Sequence, residues 1–225
     1  MALSLEVGLF LIGTYLIGAI PFGWIVARAK RVDIRRRGSG NIGATNVGRV
    51  LGRRCSLLVF LLDLTKGLAA TLVATWLGAH LARTNPAVWT VTRTDFLVLG
   101  AGIGCLIGNT ASVFLRFRGG KGAATSAGLI LGSWPWLTGP GLIAIGVWAA
   151  VLRLSGYVSL GSLAAAVSLP VAFVAIALAQ GWSVREHYPL LLLCLGVTII
   201  VTIRHRSNIA RLIAGTENTP GPNGR

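Results

Sequence analysis

Long apolar runs recur along this chain and constrain its fold more than any other feature. Of its residues, 54% are hydrophobic and only 12% are charged, whereas about a quarter of the residues of a soluble domain are charged. A helix that crosses about 30 Å of hydrocarbon needs about 20 apolar residues. The sequence therefore predicts an all-α, polytopic integral membrane protein of about seven transmembrane helices, in the runs 5–27, 57–79, 96–115, 123–139, 141–152, 158–178 and 188–203.

The fourth and fifth runs are the weakest of the seven. Pro135, Gly139, Pro140 and Gly141 interrupt them, and Pro and Gly often break helices. The two runs form either separate crossings or a hairpin that enters the membrane and returns. In either case both ends of the pair lie on one side, so the orientation of the other runs does not depend on the choice.

The distribution of Lys and Arg predicts which side faces the cytoplasm. Most of these residues lie on one side of the membrane, in the segments 28–54, 116–121, 153 and 204–225, whereas the opposite side has only Arg83, Arg93 and Arg185. Because basic loops stay in the cytoplasm, we expect the N-terminus outside and the C-terminus in the cytoplasm. The asymmetry explains the net charge of +15 without a nucleic-acid partner, and it predicts attraction to anionic membrane lipids.

We expect a single membrane-embedded domain, residues 1–215, and a flexible cytoplasmic tail, residues 216–225. The tail is rich in Gly, Pro and Asn, which favour disorder. The first apolar run is expected to be a membrane span, because no basic segment of the kind that begins a cleaved leader precedes it.

The first cytoplasmic loop contains small and polar residues from Gly38 to Arg49. Its glycines match the pattern G-x-G-x-x-G, but a dinucleotide site requires a preceding strand, and this loop lies between membrane runs. Its backbone amides, its hydroxyl and amide side chains and Arg49 could instead bind an oxyanion. An ordinary tight basic loop is the alternative, although turn chemistry explains the glycines better than the Ser, Thr and Asn residues among them.

The second cytoplasmic loop reads Gly119-Gly120-Lys121-Gly122 at the predicted start of the fourth run. Backbone amides at a helix N-terminus, beside a Lys, form a phosphate site. The segment is not a Walker A motif, because Gly122 stands where Ser or Thr should follow the Lys. A glycine-rich turn that carries cytoplasmic charge is the alternative interpretation.

A third polar segment, residues 204–217, follows the last apolar run. If it is helical, His205 and Asn208 share a face, as do Asn208 and Arg211. A single His at the membrane edge is more often a passive interfacial residue. A functional role for this segment is therefore supported only by the presence of the other two polar loops. His80 and His187 lie on the outer side and are assigned no function.

Charged residues inside the apolar runs are few. Asp63 and Lys66 lie three residues apart in the second run, where charges are usually paired or functional. We favour a mutual ion pair that supports the site over direct substrate contact. The six acidic residues of the chain form no cluster in sequence that could hold catalytic metal ions, which argues against metal-dependent phosphotransferases.

These segments resemble a known family. The stretch 39–46, the stretch 119–122 and the stretch 205–217 closely resemble the signature motifs of the bacterial acyl-phosphate:glycerol-3-phosphate acyltransferases. Supporting matches occur at 18–23, 63–67 and 157–160, so the resemblance covers essentially the whole chain. It implies a seven-helix enzyme of the bacterial inner membrane that moves an acyl chain from fatty acyl phosphate to glycerol-3-phosphate, giving lysophosphatidic acid and phosphate. It further implies no cofactor, no metal and activity as a monomer.

The resemblance also implies the site residues. The catalytic positions would be Ser39, Arg49, Lys121, His205 and Asn208. The substrate-binding positions would be Gly40, Asn41, Gly43, Thr45, Asn46, Gly119, Gly120, Gly122, Arg211 and Glu217. Arg49 and Lys121 would hold phosphate groups, and the glycine amides near Lys121 would bind the leaving phosphate. Ser39, His205 and Asn208 would position glycerol-3-phosphate, and either His205 or a substrate phosphate would take the hydroxyl proton.

One segment departs from the family pattern. Where the family usually has Gly-His-x-Phe-Pro, this chain reads Gly108-Asn109-Thr110-Ala111-Ser112. Asn109 cannot titrate, and Ser112 restores a backbone N–H. Because the loop motifs are intact, we expect catalysis to persist.

Two other classes of protein fit the apolar runs. A transporter for a phosphorylated anion could bind its solute at broken helices, but the outer loops offer few polar groups to form a path. A noncatalytic membrane scaffold explains the runs and leaves the motifs without a role.

Overall fold

A computed structural model of the chain describes residues 2–219, with side chains from residue 5. All regular structure in this range is helical. The ten α-helices of the described range are α1 (Ala2–Ala19), α2 (Phe22–Ala29), α3 (Ala44–Leu51), α4 (Arg53–Thr84), α5 (Val91–Thr110), α6 (Ala123–Gly132), α7 (Thr138–Ser155), α8 (Val158–Gln180), α9 (Tyr188–Arg204) and α10 (Arg206–Ile213). Two short 3-10 helices, Ile34–Arg36 and Val113–Leu115, lie in the loops after α2 and α5.

Five helical segments in the described range are long and apolar enough to cross a membrane, and α9 with α10 forms a sixth if the pair is one span bent by 60°. The five are Leu5–Ala29, Arg53–Thr84, Val91–Leu115, Thr138–Ser155 and Val158–Gln180. The prediction of an all-helical membrane protein is confirmed, whereas the count of seven and the orientation of the termini stay predictions.

The largest difference from the predicted runs lies between residues 123 and 155. Helix α6 ends at Gly132 after ten residues, a length of about 15 Å, which is half of the hydrocarbon thickness. Pro135 lies in the turn that follows. Pro140 does not divide the next helix, because it lies in the first turn of α7, where a missing N–H costs no hydrogen bond. The predicted boundaries of 139 and 141 were therefore wrong.

Helix α6 packs against the middle of α4, and glycines allow the two backbones to approach. A Cβ atom added at Gly67 of α4 would collide with Thr125 O, and one at Gly128 of α6 would collide with Leu64 O. Small residues permit such close contacts between membrane helices. The contact fixes the position of α6, and Lys121 lies at its N-terminal end.

Helices α5 and α9 are joined at the end of the bundle opposite the glycine-rich loops. The ring Nδ1 of His187 lies 2.7 Å from Asp95 Oδ2, and both side chains are buried. The ring of Trp136 lies 4.0 Å from that of His187. His187 has no function predicted from the sequence, and in the structure it connects the start of α9 to α5.

Candidate active site

The first glycine-rich loop is held together by Asn46, a fully buried side chain in α3. Its Oδ1 accepts a hydrogen bond from Ser39 N at 2.8 Å, and its Nδ2 donates to Arg37 O and Asn41 O. Gly38 has a φ of +57°, and a Cβ atom there would collide with Asn46 Oδ1. The amide of Asn46, predicted to bind substrate, is therefore used to shape the loop that presents Ser39.

Helix α3 begins directly after this loop. The Oδ1 of Asn41 accepts from Gly43 N at 2.8 Å, and Gly43 is the N-cap residue of the helix. The first-turn amides of a helix have no partner within it. Gly43, Ala44 and Thr45 line a cavity, so the N-terminus of α3 supplies a partial positive charge there.

In the second loop, the backbone amides of Gly119 and Gly120 are not free to bind a phosphate. The amide of Gly119 donates to Thr110 O at 3.2 Å, and that of Gly120 donates to Asn109 O at 2.9 Å. The carbonyl groups of Gly119 and Gly120 themselves accept from the guanidinium of Arg204. The prediction that both amides bind the leaving phosphate was therefore wrong, because each N–H already has a backbone partner.

The amides that remain for an anion in this loop belong to the first turn of α6. Gly122, with a φ of +84°, is the N-cap residue of α6. A Cβ atom at Gly122 would displace the terminal methyl group of Leu106, and the positive φ is the stronger reason for glycine here. Gly122, Ala123 and Ala124 line the same cavity as the start of α3. Two helix N-termini therefore face one cavity.

Lys121 begins a chain of hydrogen bonds that reaches the C-terminal segment. Its Nζ donates to Asn208 Oδ1 at 2.5 Å, and Asn208 Nδ2 donates to Glu217 Oε1 at 2.6 Å. The other oxygen of Glu217 accepts from Arg211 Nε at 2.8 Å. These bonds bring together four predicted site residues from two separate segments. The residues in direct contact are six or more positions apart in the sequence.

Ser159, at the start of α8, completes this cluster and was missing from the predicted site residues. Its Oγ donates to Glu217 Oε1 at 2.8 Å. Burial raises the pKa of Glu217, but the hydrogen bonds from Asn208, Ser159 and Arg211 outweigh this effect and lower it below its usual value. The match at residues 157–160 was the available signal for Ser159.

Glu217 also shows that the chain remains anchored beyond the predicted domain boundary. Its side chain is 5% exposed, and the next carbonyl group, Asn218 O, accepts from Arg49 Nη2 at 3.1 Å. The predicted flexible tail, residues 216–225, therefore begins with an ordered segment. Residues 220–225 lie outside the described part.

His205 lies at the break between α9 and α10, outside the membrane-spanning helix. The ring is 3% exposed, and Nδ1 lies 2.8 Å from Val201 O. A carbonyl oxygen only accepts, so Nδ1 bears the proton and Nε2 of the neutral ring is an acceptor. Burial lowers the pKa of His205 to about 4, and this effect outweighs the hydrogen bond to Val201, which raises the pKa; the smaller effects of Lys121 and Arg204 lower it, and that of Glu217 raises it. The ring is neutral at pH 7.

Two adjoining cavities meet at these residues. One, of about 490 Å³, is lined mainly by polar and basic side chains: Arg35, Arg36, Arg118, Ser207 and Arg211. The other, of about 340 Å³, continues between apolar side chains of α4, α7, α8 and α9: Phe60, Ile145, Trp148, Leu169 and Val197. Ser39, Asn41 and Lys121 line both cavities. The site therefore joins a polar compartment to an apolar one.

The intramembrane charges form the ion pair that the sequence predicts. Lys66 Nζ lies 2.7 Å from Asp63 Oδ1 and also donates to Asn109 Oδ1 at 2.8 Å. Asp63 lines the apolar cavity. Asn109, where the resembled family usually has His, is thus an acceptor for Lys66, and Ser112 Oγ donates to Ala19 O at 2.5 Å.

Comparisons with known proteins agree with this geometry. The family model described as glycerol-3-phosphate acyltransferase matches residues 8–215. A glycerol-3-phosphate acyltransferase of Desulforamulus reducens is 41% identical over 93% of this chain and 92% of its own length. One of Staphylococcus aureus (strain JH9) is 39% identical over 91% and 93%.

Solved structures give the same result. The crystal structure of PlsY, an integral membrane glycerol 3-phosphate acyltransferase, in its glycerol 3-phosphate form, has a TM-score of 0.79 and 32% identity. The lysophosphatidic acid form of PlsY has a TM-score of 0.76 and 31% identity. Each likeness covers 96% of both chains. The family resemblance inferred from the motifs is therefore confirmed, and this chain belongs to the glycerol-3-phosphate acyltransferase family.

Proposed function

We propose that this membrane enzyme transfers a fatty acyl chain from an acyl phosphate to the 1-hydroxyl of glycerol-3-phosphate, giving lysophosphatidic acid and phosphate. The observation that supports this most is the meeting of a basic polar cavity and an apolar cavity at Ser39 and Lys121. A water-soluble phosphorylated acceptor suits the first cavity. A donor with a long apolar chain suits the second.

In this proposal the basic side chains bind phosphate groups. Lys121 uses one hydrogen on Asn208, which leaves two for a phosphate. Arg49 Nη2 donates a hydrogen bond to the backbone carbonyl group of Asn218, while the buried Nε of Arg49 has no partner among the described residues. Ser39, Asn208 and the adjoining loop residues position glycerol-3-phosphate. Glu217 acts by holding Asn208 and Arg211 rather than by touching substrate, since an anionic carboxylate would repel phosphate.

We infer that a substrate phosphate takes the hydroxyl proton. His205 is within the site, but its pKa is about 4. A general base is most effective when its pKa lies near the operating pH, so His205 is poorly suited to that role at neutral pH. Its Nε2 can still accept a hydrogen bond and orient the glycerol hydroxyl. A phosphate is already a good leaving group, so orientation and charge stabilisation account for the rate.

We also propose the orientation predicted by the basic residues, with seven membrane crossings and the site on the cytoplasmic side of a bacterial inner membrane. The polar cavity is formed by segments 33–42, 118–121 and 207–211, all on the side that the positive-inside rule places in the cytoplasm. Glycerol-3-phosphate would reach the site from that side. One chain supplies all the residues that line both cavities, which supports the proposal that the enzyme acts as a monomer.

A comparison of donors tests the proposed reaction. Purified enzyme is supplied with labelled glycerol-3-phosphate and either palmitoyl phosphate or palmitoyl coenzyme A, without added metal. We expect labelled lysophosphatidic acid from palmitoyl phosphate only. Equal rates with the thioester would contradict the donor assignment, and uptake of the label into proteoliposomes without acyl transfer would favour a transporter instead.

The activity should fall at high pH as Lys121 loses its charge. Burial lowers the pKa of Lys121 to about 8, and although Glu217 opposes this effect, the charges of Arg211, Arg49 and Arg204 add to it. Lys121 is therefore charged below pH 8 and neutral above it. We expect kcat/KM to be constant between pH 7 and the pKa and to fall about tenfold for each further unit, as for any required acid in the free enzyme.

The matched control for this profile is Lys121→Arg. A guanidinium stays charged over the whole range, so the alkaline fall should disappear in this variant even if its activity is lower. A wild-type profile that stays flat to pH 10 would show that the pKa of Lys121 is not lowered to about 8 or that its charge is not needed.

A further inference from the structure

Two buried hydroxyl groups at the start of α6 have no role in the function described so far. Thr125 is 0% exposed and Ser126 is 5% exposed. Thr125 Oγ1 and Ser126 Oγ have no hydrogen-bond partner among the described residues. Leaving a buried hydroxyl without a partner is destabilising, so a group from outside the chain is expected to pair with them.

Neighbouring hydroxyl groups at the same helix contact are all paired. Thr71 Oγ1 donates to Leu129 O at 2.8 Å, and Ser133 Oγ donates to the same carbonyl at 2.8 Å. The usual way to satisfy a hydroxyl in a helix, a bond to a carbonyl group one turn earlier, is thus used by Ser133 at the end of α6, about two turns after Thr125. Thr125 and Ser126 differ from these neighbours in lining the cavity.

The position of the two hydroxyls relates them to the reacting atoms. Thr125 follows Gly122, the N-cap residue of α6, by three residues, which is about 4.5 Å along the helix axis. Lys121 and the first-turn amides of α6 lie at the polar end of the apolar cavity, and Leu131 and Leu169 lie further along its walls. In an acyl phosphate the carbonyl group lies between the phosphate and the acyl chain. A phosphate held at Lys121 therefore places the carbonyl at the level of Thr125.

We propose that Thr125 is a further catalytic residue, whose hydroxyl donates a hydrogen bond to the carbonyl oxygen of the acyl phosphate, with Ser126 as a second donor. This inference rests on the proposed function. The 1-hydroxyl oxygen of glycerol-3-phosphate forms the new ester bond to the acyl carbon, and its proton passes to a substrate phosphate. The bond between the acyl carbon and the phosphate oxygen breaks, and its electron pair leaves with the phosphate.

When the new ester bond forms, the carbonyl oxygen gains negative charge. It loses this charge again when the phosphate leaves. A fixed donor at that oxygen stabilises the transition state more than the ground state and so raises kcat. Thr125 is well fixed, because its backbone carbonyl lies directly against Gly67 of α4. A rigid backbone is what such a donor requires.

The test compares Thr125→Val, which keeps the shape and removes the hydroxyl, with Thr125→Ser, which keeps the hydroxyl. With palmitoyl phosphate as donor, we expect Thr125→Val to lower kcat by about 10²–10³-fold, the usual effect of losing one such donor. The KM for palmitoyl phosphate and the Tm should remain close to the wild-type values. Thr125→Ser should keep most of the activity, and Ser126→Ala should cause a smaller loss of kcat.

If the wild-type enzyme is active, any of three results with the variants would overturn this inference and leave the proposed function intact. They are an unchanged kcat in Thr125→Val, a raised KM with unchanged kcat, and equal losses of activity and Tm in the Val and Ser variants. If Thr125→Val does not fold, Thr125→Ala provides the same comparison. A wild-type enzyme that transfers no acyl group would overturn the proposed function, and this inference with it.

Discussion

Replacing Lys121 by alanine is expected to lower kcat/KM for acyl transfer by at least about 10³-fold, the loss found when a main transition-state charge contact is removed. Lys121 lines both cavities, and its ammonium group is held by Asn208 at their junction. Both substrates carry phosphate, and of the Lys and Arg residues that line the two cavities in the described chain, Lys121 is the one that lines both. Initial rates at saturating and limiting palmitoyl phosphate measure the effect.

Lys30→Ala is the matched control for this variant. Lys30 is exposed at the end of α2, lies on the same predicted side of the membrane and borders neither cavity. We expect unchanged kinetics there. Activity within about tenfold of wild type in a folded Lys121→Ala protein would contradict the assignment, since such a loss corresponds to only about 1.4 kcal/mol.

The second large effect is expected at His205, where alanine should lower kcat by about 10²-fold, the lower end for the loss of one positioned hydrogen-bonding group. The neutral ring donates through Nδ1 to Val201 O and presents Nε2 as an acceptor to the site. A glutamine oxygen can replace Nε2, whereas an asparagine amide overlies Nδ1. His205→Gln should therefore retain more activity than His205→Asn.

His80→Ala controls for the loss of an imidazole elsewhere. His80 is exposed near the end of α4 and should be dispensable. The reverse order, with the Asn variant more active than the Gln variant, would show that the bond to Val201 matters more than the acceptor. An unchanged rate in His205→Ala would remove His205 from the site.

The loops that form the site could be recognised in the sequence because their chemistry is local. Glycines, amide side chains and basic residues at the ends of apolar runs identify Ser39, Lys121 and Asn208 without knowledge of packing. The helical membrane architecture follows equally from the length of the runs. The end of α6 at Gly132 does not, because it depends on how residues 133–137 turn rather than on composition.

The contacts within the site depend on packing and could not be read from the sequence. Glycine amides next to a Lys looked free to bind phosphate, but Gly119 and Gly120 donate to the end of α5. Asn46 looked like a substrate contact, but its amide holds the first loop. Ser159 and Glu217 lie 58 residues apart, and only the fold brings them together. A local pattern shows which groups are present, whereas tertiary structure decides which of them are already paired.

The most direct test of the central claim is the stoichiometry of phosphate release. Purified enzyme is mixed with palmitoyl phosphate, with and without glycerol-3-phosphate, in the absence of added metal and coenzyme A. We predict that phosphate is released only when glycerol-3-phosphate is present, with one lysophosphatidic acid formed for each phosphate. Phosphate release at the same rate without the acceptor, or no release above background from a folded preparation, would contradict it.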